Sequence, residues 1–169
     1  MIRINHDLKA IFCHIPKCGG TSVERALDDW ERVNHTKIAR KAYPDKFIGM
    51  GQYVYDYLPR YFVFSIVRNP YDRFASGLTH VNTNKAWDRY WYYEHLHATQ
   101  TQTLGDLLPD YIMRLENINE DWQFIMERFG VGPLPHVNKS RHGELTEQQI
   151  MFVNIRYDID FKKFGYEKT

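Results

Sequence analysis

The run Pro16-Lys17-Cys18-Gly19-Gly20-Thr21-Ser22 gathers the residue types that anion chemistry needs. Glycines let backbone N–H groups come close to phosphate-like oxygens, Thr21 and Ser22 add hydroxyl donors, and Lys17 can neutralise charge on a group in transfer. The lysine precedes the glycines and no Gly-Lys-Thr or Gly-Lys-Ser triplet occurs, so the run is not a Walker A loop. Its competing reading is a tight turn and nothing more. A second set, Arg68-Asn69-Pro70-Tyr71-Asp72-Arg73-Phe74-Ala75-Ser76, begins where an apolar run ends. Arg68 and Ser76 stand about two helical turns apart and can reach one anion. The plainer alternative makes Arg68 a salt-bridge anchor and Ser76 a small packing residue.

These residues need a scaffold, and the hydrophobic pattern supplies one. Lys9-Ala10-Ile11-Phe12-Cys13-His14-Ile15 is rich in strand formers and stops at Pro16, which cannot continue a central ladder. Val23, Ala26, Leu27, Trp30 and Val33 then recur as the stripe of an amphipathic helix, with Thr21 or Ser22 as N-cap. Tyr61-Phe62-Val63-Phe64-Ser65-Ile66-Val67 reads as a strand covered on both faces. Pro70 suits a helix start, and Tyr71, Phe74, Ala75 and Leu78 give that helix an inward face. A third strand, about Tyr111 to Leu115, leads through Glu116-Asn117 into a helix with Trp122, Ile125, Met126 and Phe129 inward and Gly130 as C-cap. The capping box Thr146-Glu147-Gln148-Gln149 opens a last helix carrying Ile150, Val153 and Tyr157. The stretch from Asn34 to Pro59 is irregular, and Asn82 to Gly105 is polar and aromatic without a clear period, which suits a substrate-facing insertion.

Strands separated by helices predict one α/β domain over residues 1–169, built in three layers around a mostly parallel central sheet flanked by helices. Such sheets bind ligands beyond the carboxyl ends of their strands, and Pro16 to Ser22, Arg68 to Pro70 and Glu116-Asn117 all follow strand ends. Composition narrows the function. The chain has 169 residues, 43% hydrophobic and 25% charged, with 22 Lys plus Arg against 21 Asp plus Glu, which excludes disorder and coiled coil. A net charge of +1 lacks the global attraction that drives non-specific nucleic-acid binding, so no nucleic-acid partner is expected. No run approaches the about 20 apolar residues of a membrane span, and the first residues lack the apolar core of a signal peptide. A cytosolic protein is the expectation. Cys13 and Cys18 form no disulfide framework and are expected reduced.

Beyond these generic features, Ile15 to Ser22 together with Val67 to Ser76 strongly resemble the paired motifs of sulfotransferases that use 3′-phosphoadenosine 5′-phosphosulfate (PAPS). Arg114-Leu115-Glu116-Asn117 with Asp121-Trp122, Leu134 to Ser140, and Tyr157-Asp158-Ile159-Asp160 with Phe164-Gly165-Tyr166 resemble later landmarks of the carbohydrate (membrane-type) sulfotransferase family. The resemblance implies a P-loop-like domain that moves a sulfuryl group from PAPS to a hydroxyl of a carbohydrate or glycoconjugate and releases PAP. Lys17 would then meet the oxygen bridging sulfur and phosphorus, while Cys18, Gly19, Gly20, Thr21 and Ser22 hold the 5′-phosphate. Arg68 and Ser76 would hold the 3′-phosphate, and Lys139 and Ser140 would belong to a loop over the nucleotide. Many members of that family carry a membrane anchor, so a short chain of this kind is expected to be a soluble bacterial or viral form.

An acceptor hydroxyl needs a base, and histidine suits that task near neutral pH. His35 is the first choice, because it follows the helix leaving the cradle and resembles a histidine placed there in small family members. His80, one turn beyond Ser76, is the second; His14, inside a strand, reads as a hydrogen-bonded core residue. Glu94-His95-Leu96-His97 is an incomplete ligand set, and no metal is expected. Trp87, Tyr90, Trp91, Tyr92 and Tyr93 either stack on an acceptor or pack as core or lid. Two rivals share the cradle: an ATP-dependent small-molecule kinase, weakened by the missing Walker A order and the absence of an evident Asp pair for magnesium, and a non-catalytic nucleotide-binding module.

Overall fold

A computed structural model describes residues 1–33, 50, 60–83, 92–135 and 143–169. Five strands form one sheet in the order β3-β1-β2-β4-β5, with β1 at Ile2–Asn5, β2 at Ala10–Cys13, β3 at Glu31–Val33, β4 at Phe62–Val67 and β5 at Tyr111–Arg114. Strands β2, β4 and β5 are parallel neighbours, whereas β1 runs antiparallel to both β2 and β3. The sheet is therefore mixed, which corrects the expectation of a mostly parallel one. Two short strands escape the sequence pattern. Ile2–Asn5 alternates buried and half-buried residues over only four positions, and β3 has three residues with no buried face.

The predicted helix after the cradle is also shorter than its stripe suggests. Helix α1 spans Gly20–Ala26 and ends at Leu27, after which the chain turns into β3. Trp30 still reaches the core, edge-on to Phe64 and Phe129, but from the turn and not from a helix. Gly19 is the N-cap, in the left-handed region at φ 77°, and no side chain caps the helix, so neither Thr21 nor Ser22 does.

The longest helix among the described residues, α2 at Pro70–Thr83, starts as expected with proline in its first turn. Asn69 closes that end: its Oδ1 accepts the Tyr71 N–H at 2.9 Å and its carbonyl accepts the Arg73 N–H. A five-residue π-helix, Tyr93–His97, and the short helix α3 at Gln100–Leu104 follow, within the region read as aperiodic. Helix α4, Ile118–Phe129, buries Trp122 and Ile125 and ends at the left-handed Gly130, as its pattern predicts. The Thr146 capping box is present and opens α5, Glu147–Arg156. Tyr157 then breaks the chain into a separate helix α6, Asp158–Phe164, in place of one last helix.

Apolar side chains gather in two clusters. The larger covers the sheet with Ile11, Phe12, Val63, Phe64, Ile66 and Val67 at its heart. The second joins Phe74 and Val81 of α2 to Leu96, Val153, Tyr157 and Phe161. It fastens the C-terminal helices to α2, and so to the element that leaves the carboxyl end of β4. Among the described residues no helix is long and apolar enough to cross a membrane.

Candidate functional site

Parallel pairing of β2, β4 and β5 brings three chain segments to one sheet edge: the Lys17 loop after β2, Arg68-Asn69 after β4, and Leu115–Asn117 after β5. Lys17 has φ 68°, a left-handed conformation that costs a non-glycine residue about 1–3 kcal/mol. The surroundings hold it there. Arg73, fully buried, donates from Nε to the Pro16 carbonyl at 3.0 Å and from Nη1 to the Ala98 carbonyl at 2.9 Å. Arg68 donates from Nη1 to the Lys17 carbonyl at 3.3 Å.

The two glycines are fixed by close approach as well as by turn geometry. A Cβ on Gly19 would stand 2.5 Å from a Leu115 methyl, and one on Gly20 would stand 2.2 Å from the His14 ring. The His14 ring is pinned in turn by Glu24 at 2.7 Å and stacked on Phe12. His14 is thus a packed, hydrogen-bonded residue, as its strand position suggests. The tight packing lets α1 begin directly above the end of β2, with the first-turn N–H groups of Gly20 and Thr21 bonded to no acceptor among the described residues.

Electrostatics mark the same place. Burial lowers the Lys17 ammonium to about 8, and the Arg68 and Arg73 guanidiniums push in the same direction. Among the described residues Lys17 Nζ has no hydrogen-bonding or ionic partner, and the two guanidiniums of Arg68 and Arg73 lie close enough to act on it. Burial also lowers the His80 imidazole, and the Lys17 ammonium lowers it further, which places His80 in the field of Lys17. The His80 ring stacks on that of His95, with centroids 5.2 Å apart. Gly77, one turn earlier on α2, makes this possible: a Cβ there would lie 2.6 Å from the His95 carbonyl oxygen.

The other candidates divide. Ser76 is buried on α2, and Ser22 is buried on α1, while Thr21 is exposed. The Cys18 thiol points inward, is pushed up to about 12 by burial, and donates to Gln100 Oε1 at 3.1 Å, so its side chain is no ligand-facing group. Cys13 is likewise reduced and buried. Exposed Glu116 accepts from the Asn69 N–H at 2.7 Å and the Tyr166 hydroxyl at 2.9 Å, tying β5's edge to β4's. His35, Lys139, Ser140, Trp87, Tyr90 and Trp91 lie outside the described residues. His95 and His97 diverge, the latter ring meeting Tyr92 and Phe152. Among the described residues no three His, Cys, Asp or Glu side chains gather as metal ligands.

Sequence reasoning missed the buried polar residues under the loop. Arg73 was legible only as part of a motif, and Gln100 and Asp160 carried no signal of burial. The Thr99-x-x-Gln102 capping box could have located α3, since both of its reciprocal bonds are formed.

Fold and site together define an α/β architecture in which Lys17, Arg68 and the start of α1 meet at the carboxyl ends of parallel strands, where open α/β sheets bind ligands. The profile of the sulfotransferase family matches residues 1–106, and the chain belongs to that family. The matched span contains the Lys17 loop, Arg68, Arg73, Ser76, His80 and Gln100; Glu116 and Asp160 lie beyond it. Neither curated proteins nor solved structures give a match.

Proposed function

We propose that the protein, working as one P-loop-like domain, transfers a sulfuryl group from PAPS to a hydroxyl of a carbohydrate or glycoconjugate and releases PAP. The observation that carries this reading is Lys17: a half-buried ammonium without a protein partner among the described residues, pressed by two guanidiniums at a helix start. Such a group is costly to leave without an anion and well placed to stabilise charge that develops on a leaving phosphate. The loop from Gly19 to Ser22 offers backbone N–H groups and hydroxyls to the 5′-phosphate, and Arg68 with Ser76 offers a charged and a neutral donor to the 3′-phosphate. Lys139 and Ser140 are assigned to the loop that covers the nucleotide.

In the transfer, the acceptor oxygen forms its bond to sulfur as the bond between sulfur and the bridging phosphate oxygen breaks. The acceptor proton passes to a histidine, and Lys17 meets the charge left on the phosphate. His35 and His80 are the candidates for the base. The position of His80 favours it: the same positive field and burial that lower its pKa keep the imidazole neutral, and so able to accept a proton, at neutral pH. Exposed Tyr92 belongs to the aromatic set that would stack on a sugar ring.

A thermal-shift comparison of PAP, PAPS, ATP and AMP tests the reading. PAP and PAPS should raise the melting temperature most. A larger shift with ATP than with PAP would favour the kinase alternative, and binding of PAPS without turnover on any hydroxyl acceptor would favour a binding module.

A further inference from the structure

Strand β4 ends its ladder at Val67, so the peptide of Arg68 must find partners elsewhere. It finds them in one side chain. The fully buried amide of Gln100 accepts the Arg68 N–H on Oε1 at 2.8 Å and donates from Nε2 to the Arg68 carbonyl at 2.9 Å, pairing with that residue as a neighbouring strand would. The same Oε1 accepts the Cys18 thiol, so one amide holds both the Arg68 backbone and the loop that carries Lys17.

Gln100 is itself held from the far end of the chain. The buried carboxylate of Asp160 in α6 accepts the Gln100 N–H at 2.7 Å on one oxygen, and the Thr101 N–H and hydroxyl at 2.9 and 2.8 Å on the other. We propose that Gln100 is a positioning residue for Arg68, and that Asp160 fixes it, so that helix α6 sets the geometry of the 3′-phosphate contact. The inference rests on the assignment of Arg68 to the 3′-phosphate. Charge-assisted bonds make Asp160 a rigid anchor, and a displacement of about 1 Å at the Arg68 backbone is enough to spoil a two-point phosphate contact. Neither residue touches the anion; both act through Arg68.

The test is calorimetry of PAP and AMP on the wild type, Arg68→Ala, Gln100→Met and the double variant, with melting temperatures recorded in parallel. Gln100→Met keeps the length of the side chain and removes its amide. It should lower the PAP-to-AMP affinity ratio by about tenfold while AMP binding stays unchanged, and should cost nothing further once Arg68 is alanine. Asp160→Asn should produce the same selective loss. A merely structural role would lower the melting temperature and leave the ratio alone, and that result would overturn the proposal. Should Gln100→Met fail to fold, Gln100→Glu carries the same test, since it keeps an acceptor for the Arg68 N–H and replaces the donor to the Arg68 carbonyl with a carboxylate oxygen that repels it. A ratio lost in Arg68→Ala but kept in the Gln100 variants sinks this inference alone. A wild type that binds PAP and AMP equally sinks the functional reading, and this inference with it.

Discussion

Raising the pH should remove the charge of Lys17 well before that of an ordinary lysine. The group ionises at about 8 against a reference of 10.5, because burial and the two guanidiniums disfavour the ammonium. At pH 7 about nine-tenths of the enzyme carries the charge, at pH 9 only about a tenth, whereas an unperturbed lysine would keep it almost fully at both. If the charged form alone supports transfer, kcat/KM for PAPS falls about tenfold per pH unit above about pH 8. A bound, negatively charged nucleotide favours the ammonium, so the corresponding limb in kcat should lie at higher pH. On the acid side, if His80 is the base, its lowered pKa places the other limb below the usual histidine range. The assay is initial-rate release of PAP across pH 5 to 10 with a constant acceptor. Lys17→Arg keeps a charge that does not titrate in this range and should flatten the alkaline limb, at a lower rate. A wild-type kcat/KM that stays level to about pH 9.5 would refute the role given to Lys17. The same shift bears on folding. Between about 8 and 10.5 the unfolded chain binds the proton more readily than the folded one, so this group's contribution to stability rises with pH across that window.

Lys17→Ala should lose about 10²–10³ in turnover with a melting temperature at neutral pH no lower than the wild type's, since the side chain bonds to no protein group among the described residues and its half-buried charge is a cost to the folded state. His80→Ala should lower turnover by about 10²–10⁴ with little change in PAP affinity. If His35→Ala does this and His80→Ala stays active, the base is His35. Gly20→Ala should destabilise the fold by about 1–3 kcal/mol, read by thermal unfolding, because its methyl meets a His14 ring that Glu24 and Phe12 hold in place. His14→Ala should relieve much of that loss, and an unchanged melting temperature for Gly20→Ala would refute the packing account.

The parts of the fold legible in the sequence are those whose signals are local. Strand β4 shows a run of apolar residues, α4 has a periodic face with Gly130 after it, and α5 announces itself with a capping box. Strands β1 and β3 hide because their stability comes from pairing with distant chain, not from their own residues. Val33 fell on the helical stripe by spacing alone, although the helix unwinds at Leu27. The candidate site divides along the same line. Lys17, the glycines and Arg68 stand in recognisable runs, whereas the supports beneath them are single polar residues whose burial only tertiary packing creates. Gln100 and Asp160 are 60 positions apart and look like surface residues until α6 folds back on α3.

The central claim, that the edge after β2 and β4 is built for a nucleotide with a 3′-phosphate, is tested most directly by calorimetry of PAP and AMP on the wild type and on Arg68→Ala. A charge-assisted contact worth about 1.5–3 kcal/mol predicts that the wild type prefers PAP by at least about tenfold, and that Arg68→Ala loses most of the preference by weakening PAP while leaving AMP nearly unchanged. Equal affinity of the wild type for PAP and AMP would contradict it.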